Sequence, residues 1–458
     1  MSRPDLDLAT AVDRSQPPPP GELRPFRFPA FQRARLDNGM QILAARMPRY
    51  PLVGMEILMP AGGQYNPATL PGLAGLHGEL LDEGSEIRPA LQIADQIEAL
   101  GGSLSSGASW NVAYVDIDLL SAHLQPGLEL LAEIVRSPSF ENDEIERIRQ
   151  ERLAEILRLR GQPASVADWT FAATVYAGTP YGLPLIGTEE SLKRMTRDDV
   201  HGFYRRHVVA AGSILVAVGD LDPDELFTAA DKLFGDWRSP PAPERPTFAP
   251  AMLNETQVHL VDRPGSAQTQ LQVGHASLPR QHPDFVPLLL LNAILGGKFT
   301  SRINLNLRER HGYTYGASSF VVQRQGPGPF FVRTAVANEV AGAATREIVD
   351  EIRQIREQAV TVDELRETQD YLVGVFPYTL QTIDDLVNRL EALAVFELPE
   401  GYFDNYPSLI NGTTRDQLLR AGRRHLHPDT LAIVAAGPAD ELRPQFEALG
   451  PVTIHSPG

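Results

Sequence analysis

The chain of 458 residues contains no cysteine, which excludes disulfides and thiolate metal sites and leaves the redox compartment open. Basic residues are in short supply. Lys and Arg total 41 against 58 Asp and Glu, and the formal net charge of −17 argues against nucleic acid or an anionic membrane surface as a main partner. No run approaches the roughly 18 apolar residues of a membrane-spanning helix, so no membrane insertion is expected. The first thirty residues lack an apolar segment of signal-peptide type, and their acidic residues are unlike an organellar transit peptide. A cytoplasmic location is expected, with the periplasm as the alternative for a chain trimmed at its N-terminus. No P-loop, dinucleotide fingerprint or Gly-x-Ser-x-Gly elbow occurs.

What is present is an ordinary soluble composition, 43% hydrophobic and 22% charged. Residues 1–30 are polar and proline-rich, with Pro17 to Pro20 in a row, and read as an extended or disordered tail. Order is expected from near Ala34, where Arg35–Ala45 reads as strand, turn at Asp37-Asn38-Gly39, and strand. Val53–Met59 and Val115–Leu119 read as strands, and Leu91–Leu100, Leu124–Ser137 and Asn142–Leu159 as helices. Ser213–Val218 is an apolar strand followed by the helix Pro223–Phe234. The proline-dense stretch from Ser239 to Pro246 is a linker. After it the element types recur. Gln257–Val261, Gln268–His275, Tyr315–Gln323, Phe330–Ala337 and a last strand Thr430–Ala436 are interleaved with helices at Pro287–Leu295, Thr300–Arg310, Val340–Gln358, Val362–Phe376 and Asp384–Phe396.

The recurrence is a true internal repeat. Thr196-Arg197-Asp198 matches Thr414-Arg415-Asp416, Arg205-Arg206-His207 matches Arg423-Arg424-His425, and Ala217-Val218-Gly219 matches Ala435-Ala436-Gly437. All three pairs share one offset with no gap. Two homologous α/β domains follow, 31–238 and 251–455 with a linker at 239–250, although length alone would allow three. The expected fold class is α+β, each domain a mostly antiparallel sheet packed with helices.

Within the first domain, Pro71 to Ser85 reads as a short apolar-faced helix through Leu73, Leu76, Leu80 and Leu81, ending at Gly84. Gly75 and Gly78 lie inside it, each costing about 1 kcal/mol relative to Ala. Such positions suit places where side chains are not needed or do not fit. At the repeat offset this stretch falls on residues 289–303, which also carry no ligand-type residues.

Gly72-Leu73-Ala74 leading to Gly84-Ser85, the strand end Val218-Gly219-Asp220-Leu221-Asp222, and the segment from Leu291-Asn292 to Tyr315 together resemble peptidase family M16. This is the family of insulinase, pitrilysin and the mitochondrial processing peptidase, and the likeness covers nearly all of residues 34–450. In active members His-x-x-Glu-His on the first helix places two histidines one turn apart for zinc and a glutamate as general base, and a glutamate on a later helix is the third ligand. Laid on that pattern, Gly75, Gly78 and Glu79 replace the three motif residues. Glu155 stands at the third-ligand position, and Ile148 replaces the family's other carboxylate on that helix. The resemblance therefore implies no metal and no catalytic residue in the first domain, since catalytic zinc takes about three protein ligands.

His77 and Glu79 point different ways on a helix, so His77 reads as a partly buried or surface histidine. Glu79 and Glu83 read as a solvated acidic edge, and His207 and His425 as structural. His275, His282 and His311 show no ligand spacing. Arg308 and Tyr315 match the arginine and tyrosine that, in the family, bind substrate main chain and support the oxyanion. Spacing alone favours Arg308 paired to a nearby carboxylate and Tyr315 in a strand core; the resemblance favours the functional pair.

The resemblance implies the non-zinc subunit of a heterodimeric metallopeptidase. Its partner would be a homologous zinc-bearing subunit, its substrate a peptide or unfolded protein, and it would hold no cofactor of its own. The alternative is a catalytically inactive structural or peptide-binding member. A lone hydrolase using Glu79 and Glu155 is a third reading.

Overall fold

The structure, a computed structural model, describes residues 21, 26–250 and 252–456. Most of the proline-rich N-terminal stretch, including Pro17 to Pro20, lies outside them. Order starts earlier than Ala34. Phe28 is buried, stacks on Phe403 at 5.2 Å between ring centres, and donates its N–H to Asp404 Oδ1 at 3.0 Å.

Among the described residues, twelve strands form two six-stranded sheets, with helices between and around them. The first sheet runs β1-β2-β6-β3-β5-β4. Its strands are β1 (Phe31–Arg35), β2 (Gln41–Arg46), β3 (Leu52–Met59), β4 (Ser103–Ala108), β5 (Ala113–Leu120) and β6 (Ile214–Gly219). The second runs β12-β7-β11-β8-β10-β9, with β7 (Gln257–Asp262), β8 (Gln268–Ala276), β9 (Ala317–Val321), β10 (Pro329–Ala337), β11 (Ala432–Gly437) and β12 (Val452–His455). β2 pairs parallel with β6 and β7 parallel with β11, while the neighbours from β6 to β4 and from β11 to β9 are antiparallel. The fold is α+β with two related halves. Only the outer strand breaks the correspondence: β1 precedes β2 and runs antiparallel to it, whereas β12 arrives from the C-terminus and runs parallel to β7.

The repeat is also visible in local detail. Helices Arg197–His207 and Arg415–His425 both open on a threonine capping box, Thr196 with Asp199 and Thr414 with Gln417. Each helix leads into a strand buried along its whole length, β6 or β11, as expected where both sheet faces are covered.

The second face of each sheet is covered from the other half. Helix Pro163–Val175 lies against β8 and β11, joining Val166, Phe171 and Val175 to Val434 and Ala436 in one apolar cluster. Helix Ile383–Val395 lies against β3 and β6 and joins Leu386, Leu390 and Leu393 to Leu43, Val216 and Val218. Sequence reading gave no element at Pro163–Val175, whose apolar residues form no clean stripe because two surfaces enclose it. It also gave none at the serine-rich β4 or at the short β12. The expected strand at Tyr315–Gln323 is confined to Ala317–Val321, and the helices near 293–310 contain wide π turns at Ala293–Gly297 and Leu305–Arg310.

Because each half supplies a helix to the other, cleavage in the 239–250 stretch should leave two fragments that co-elute on size exclusion under native conditions. Leu390→Ala should destabilise the whole chain by about 2–5 kcal/mol in denaturant titration. Separation of the nicked chain into two independently folded pieces would contradict this packing.

Candidate functional site

The short helix Leu73–Glu79 is wedged into the first half. Gly72, in a left-handed conformation with φ 91°, starts it, and Asn66 Oδ1 accepts from the Ala74 N–H at 2.7 Å. Leu73, Leu76 and Leu80 enter the core. Its two glycines face different neighbours. A side chain at Gly78 would run into the backbone of β4, at 2.5 Å from Gly107 O and 2.8 Å from Ala108 N. Ser106 holds that approach closed, donating to Gly78 O at 2.7 Å and to Asp82 Oδ1 at 2.8 Å. Burial raises the Asp82 carboxyl to about 6.

Gly75 faces Arg152, which projects from helix Asn142–Arg160. A side chain at Gly75 would collide with the Arg152 guanidinium and would lie 2.7 Å from Leu185 O. Arg152 is only 6% exposed. Its Nη1 lies 3.4 Å from Glu79 Oε2 and its Nη2 3.5 Å from Leu185 O. Burial lowers the guanidinium pKa, with Glu79 opposing, and burial raises the Glu79 carboxyl, with Arg152 opposing. The pair holds a fixed positive charge between Gly75 and Glu79, against the helix face that a metal-binding motif would use.

A zinc ion does not fit this donor set. Two positions carry no side chain and are blocked by backbone and guanidinium, and the third, Glu79, is engaged by a cation. Glu155 does not contribute. It is half-exposed and accepts from Arg158 Nε at 2.6 Å, which lowers its pKa. Glu79 and Glu155 are thus each tied to a separate arginine, and the two-carboxylate reading loses its basis. Glu83 likewise pairs with Arg147 at 2.5 Å, so the acidic edge is an ion-paired one. Ile148 is buried core.

His77 is fully buried, contrary to the expectation of partial exposure. It packs against Phe140, Phe203 and Tyr204, and neither ring nitrogen has a hydrogen-bond partner. Burial lowers its pKa to about 3, so it is a neutral core residue.

Arg152 was not singled out from the sequence, though a signal exists. With Ile145, Ile148 and Ile156 it lies on one buried helical stripe, where a lone arginine is conspicuous.

In the second half, Arg308 and Tyr315 are brought together, but not as a strand core. Arg308 lies on the π turn Leu305–Arg310 and donates from Nη1 to the Tyr315 carbonyl at 3.2 Å. Its Nε lies 3.2 Å from Glu309 Oε1, and its guanidinium sits 4.9 Å from the Phe299 ring centre. Gly312, with φ 66°, turns the chain back, and Ala317 N–H donating to Asn304 Oδ1 anchors the start of β9. Tyr315 itself is 91% exposed. A guanidinium and a phenol are therefore presented on one solvent-facing turn.

Histidines that are distant in sequence do meet elsewhere. His282 and His425 converge on Asp284, whose Oδ2 lies 2.8 Å from His425 Nε2 and 3.0 Å from Arg424 Nη1. The Arg424 cation and His425 already occupy that carboxylate and lower its pKa. His207, the repeat counterpart of His425, packs against Tyr65 and Phe203 instead.

Gly78→Ala should cost about 1–3 kcal/mol in denaturant titration, since β4 backbone must shift. The triple change G75H/G78E/E79H should not yield stoichiometric zinc by metal analysis. His77 stays neutral in the folded chain to about pH 3 but titrates near 6.5 when unfolded. Its contribution is therefore present above pH 6.5 and is lost as pH falls toward 3. His77→Leu should flatten the stability–pH slope there by up to about 1.4 kcal/mol per pH unit; an unchanged slope would show that His77 is not buried neutral.

Comparison with known proteins shows the family and the fold. Residues 42–189 match the family model described as insulinase (peptidase family M16), and residues 194–372 match the one described as peptidase M16 inactive domain. An uncharacterized zinc protease of Rickettsia felis is 24% identical over 72% of this chain and 79% of its own length. One of Rickettsia bellii is 26% identical over 72% and 79%. The crystal structure of a peptidase M16 inactive domain from Pseudomonas fluorescens superposes with a TM-score of 0.83 at 26% identity, covering 89% of this chain and 98% of that one. A protease from Helicobacter pylori shares the fold with a TM-score of 0.83 at 21% identity, covering 90% of this chain and 100% of that one. The two family models together match well over half of the chain, and the chain belongs to peptidase family M16.

Proposed function

We propose that this chain is the non-zinc subunit of a heterodimeric M16 metallopeptidase. It binds an extended peptide or unfolded protein and completes the active site of a homologous zinc-bearing partner. One observation carries the reading: the zinc-helix position is filled by Arg152 and β4 backbone, while Arg308 and Tyr315 stand together on an exposed turn. An always-charged guanidinium and a directed hydroxyl are suited to holding a peptide carbonyl or a developing oxyanion. β4 and β9 are sheet edges, to which a peptide can add by main-chain pairing. The likeness to the Pseudomonas fluorescens peptidase M16 inactive domain supports the same division of labour.

A second reading is that the chain is a structural or peptide-binding member without a catalytic role. It is favoured by the contacts Arg308 already makes with Tyr315 O, Glu309 and Phe299.

The purified chain should hydrolyse no peptide with added zinc. Paired with a zinc-bearing subunit, Tyr315→Phe or Arg308→Ala should lower kcat/KM by about 10²–10³-fold, the loss typical of one oxyanion donor. Unchanged activity in both variants would establish the second reading. Chelator-sensitive cleavage by the chain alone would overturn both.

A further inference from the structure

Between the two halves lies a cavity of about 220 Å³. One wall comes from helix Pro163–Val175 and the loop after it, with Trp169 and Phe171, and the other from β8 and β10, with Gln272 and Phe331. Arg324 lines it, in the turn between β9 and β10. The Arg324 guanidinium lies over three rings, at 4.7 Å from Trp110, 5.3 Å from Tyr176 and 4.3 Å from Tyr181. It is 9% exposed, and its Nε and Nη1 have no hydrogen-bond partner. No carboxylate among the described residues pairs with it. The two tyrosine hydroxyls are occupied with backbone: Tyr176 donates to Pro327 O at 3.0 Å, and Tyr181 accepts from Gly326 N–H at 3.4 Å. The one acid in the cavity, Asp168, is tied to Arg333.

A buried cation without an anion is costly, and ring faces offset only part of the lost hydration. The remaining walls are aromatic and aliphatic. At about 220 Å³ the space is below the roughly 300–1,000 Å³ typical of drug-sized ligands, so it suits something the size of one amino-acid residue.

We propose that this interdomain cavity binds a monocarboxylate with an apolar or aromatic body, its carboxylate on the part of the Arg324 guanidinium that lines the cavity and its body among Trp169, Phe171 and Phe331. The ligand is a free carboxylic acid or the C-terminal residue of a peptide. A dianion is disfavoured by Asp168. The site is built from this chain alone and does not depend on a peptidase role.

The test is calorimetric titration of the full chain with 3-phenylpropanoate, with 3-phenylpropanamide, and with a tripeptide ending in phenylalanine, as free acid and as amide. Both acids or one of them should bind saturably, with each amide at least about tenfold weaker, as expected when a charged hydrogen-bonding group is lost. Binding of the free acid assigns the site to small molecules, and binding of the peptide acid alone assigns it to peptide C-termini. Arg324→Met should abolish the acid–amide difference. Asp168→Asn, which leaves Arg324 in place, should tighten acid binding and covers the case in which R324M does not fold. Equal binding of acid and amide, no binding of either acid, or unaltered affinity in folded R324M would overturn the assignment.

Discussion

A six-stranded sheet has two faces, and burying both is the constraint on which this molecule rests. Each half covers the second face of the other. Helix Pro163–Val175 of the first half and Ile383–Val395 of the second, counterparts in the two repeats, therefore cross to the opposite sheet. The apolar surface that each crossing removes from water is a main driving term of the fold. The exchange also puts the 239–250 stretch, Arg324 and its ring of aromatics between two halves that are tied by their own cores.

The two candidate chemical regions differ in kind. The short helix Leu73–Glu79 is buried from Leu73 to Gly78. Core leucines hold one face, β4 backbone lies on Gly78, and Arg152 fills the space left by Gly75. The turn carrying Arg308 and Tyr315 is pinned only at its base, through Asn304 and through the Arg308 bond to the Tyr315 carbonyl, and its tip is solvated. Rigid burial marks the short helix as structural. An exposed aromatic on an anchored turn is a surface arrangement suited to contacts with another molecule.

Much of this was legible in the sequence. The duplication showed in ungapped matches, because capping boxes and fully buried strands tolerate little change in spacing, and the missing zinc motif showed as three residues of the wrong type. What was not legible depended on partners far along the chain. Helix Pro163–Val175 has no apolar stripe because it is wrapped by both halves, and β4 carries serines on its exposed positions while Ser106 holds the short helix. His77 looked exposed because its neighbours Phe140, Phe203 and Tyr204 lie more than sixty residues away in sequence. Arg152 reads as one charge among many until its place on the Ile145–Ile148–Ile156 stripe is considered.

Gly78 has a counterpart in Gly296, which abuts Ser319 of β9, with the Ser319 N–H 2.6 Å from where a side chain would begin. In both halves, then, a glycine lets the edge strand close down on the helix. The consequence is a closed position: a side chain at Gly75 would meet Arg152, and one at Gly78 the β4 backbone. Building a metal site on this helix would require several side chains, one buried cation and the path of a strand to change together.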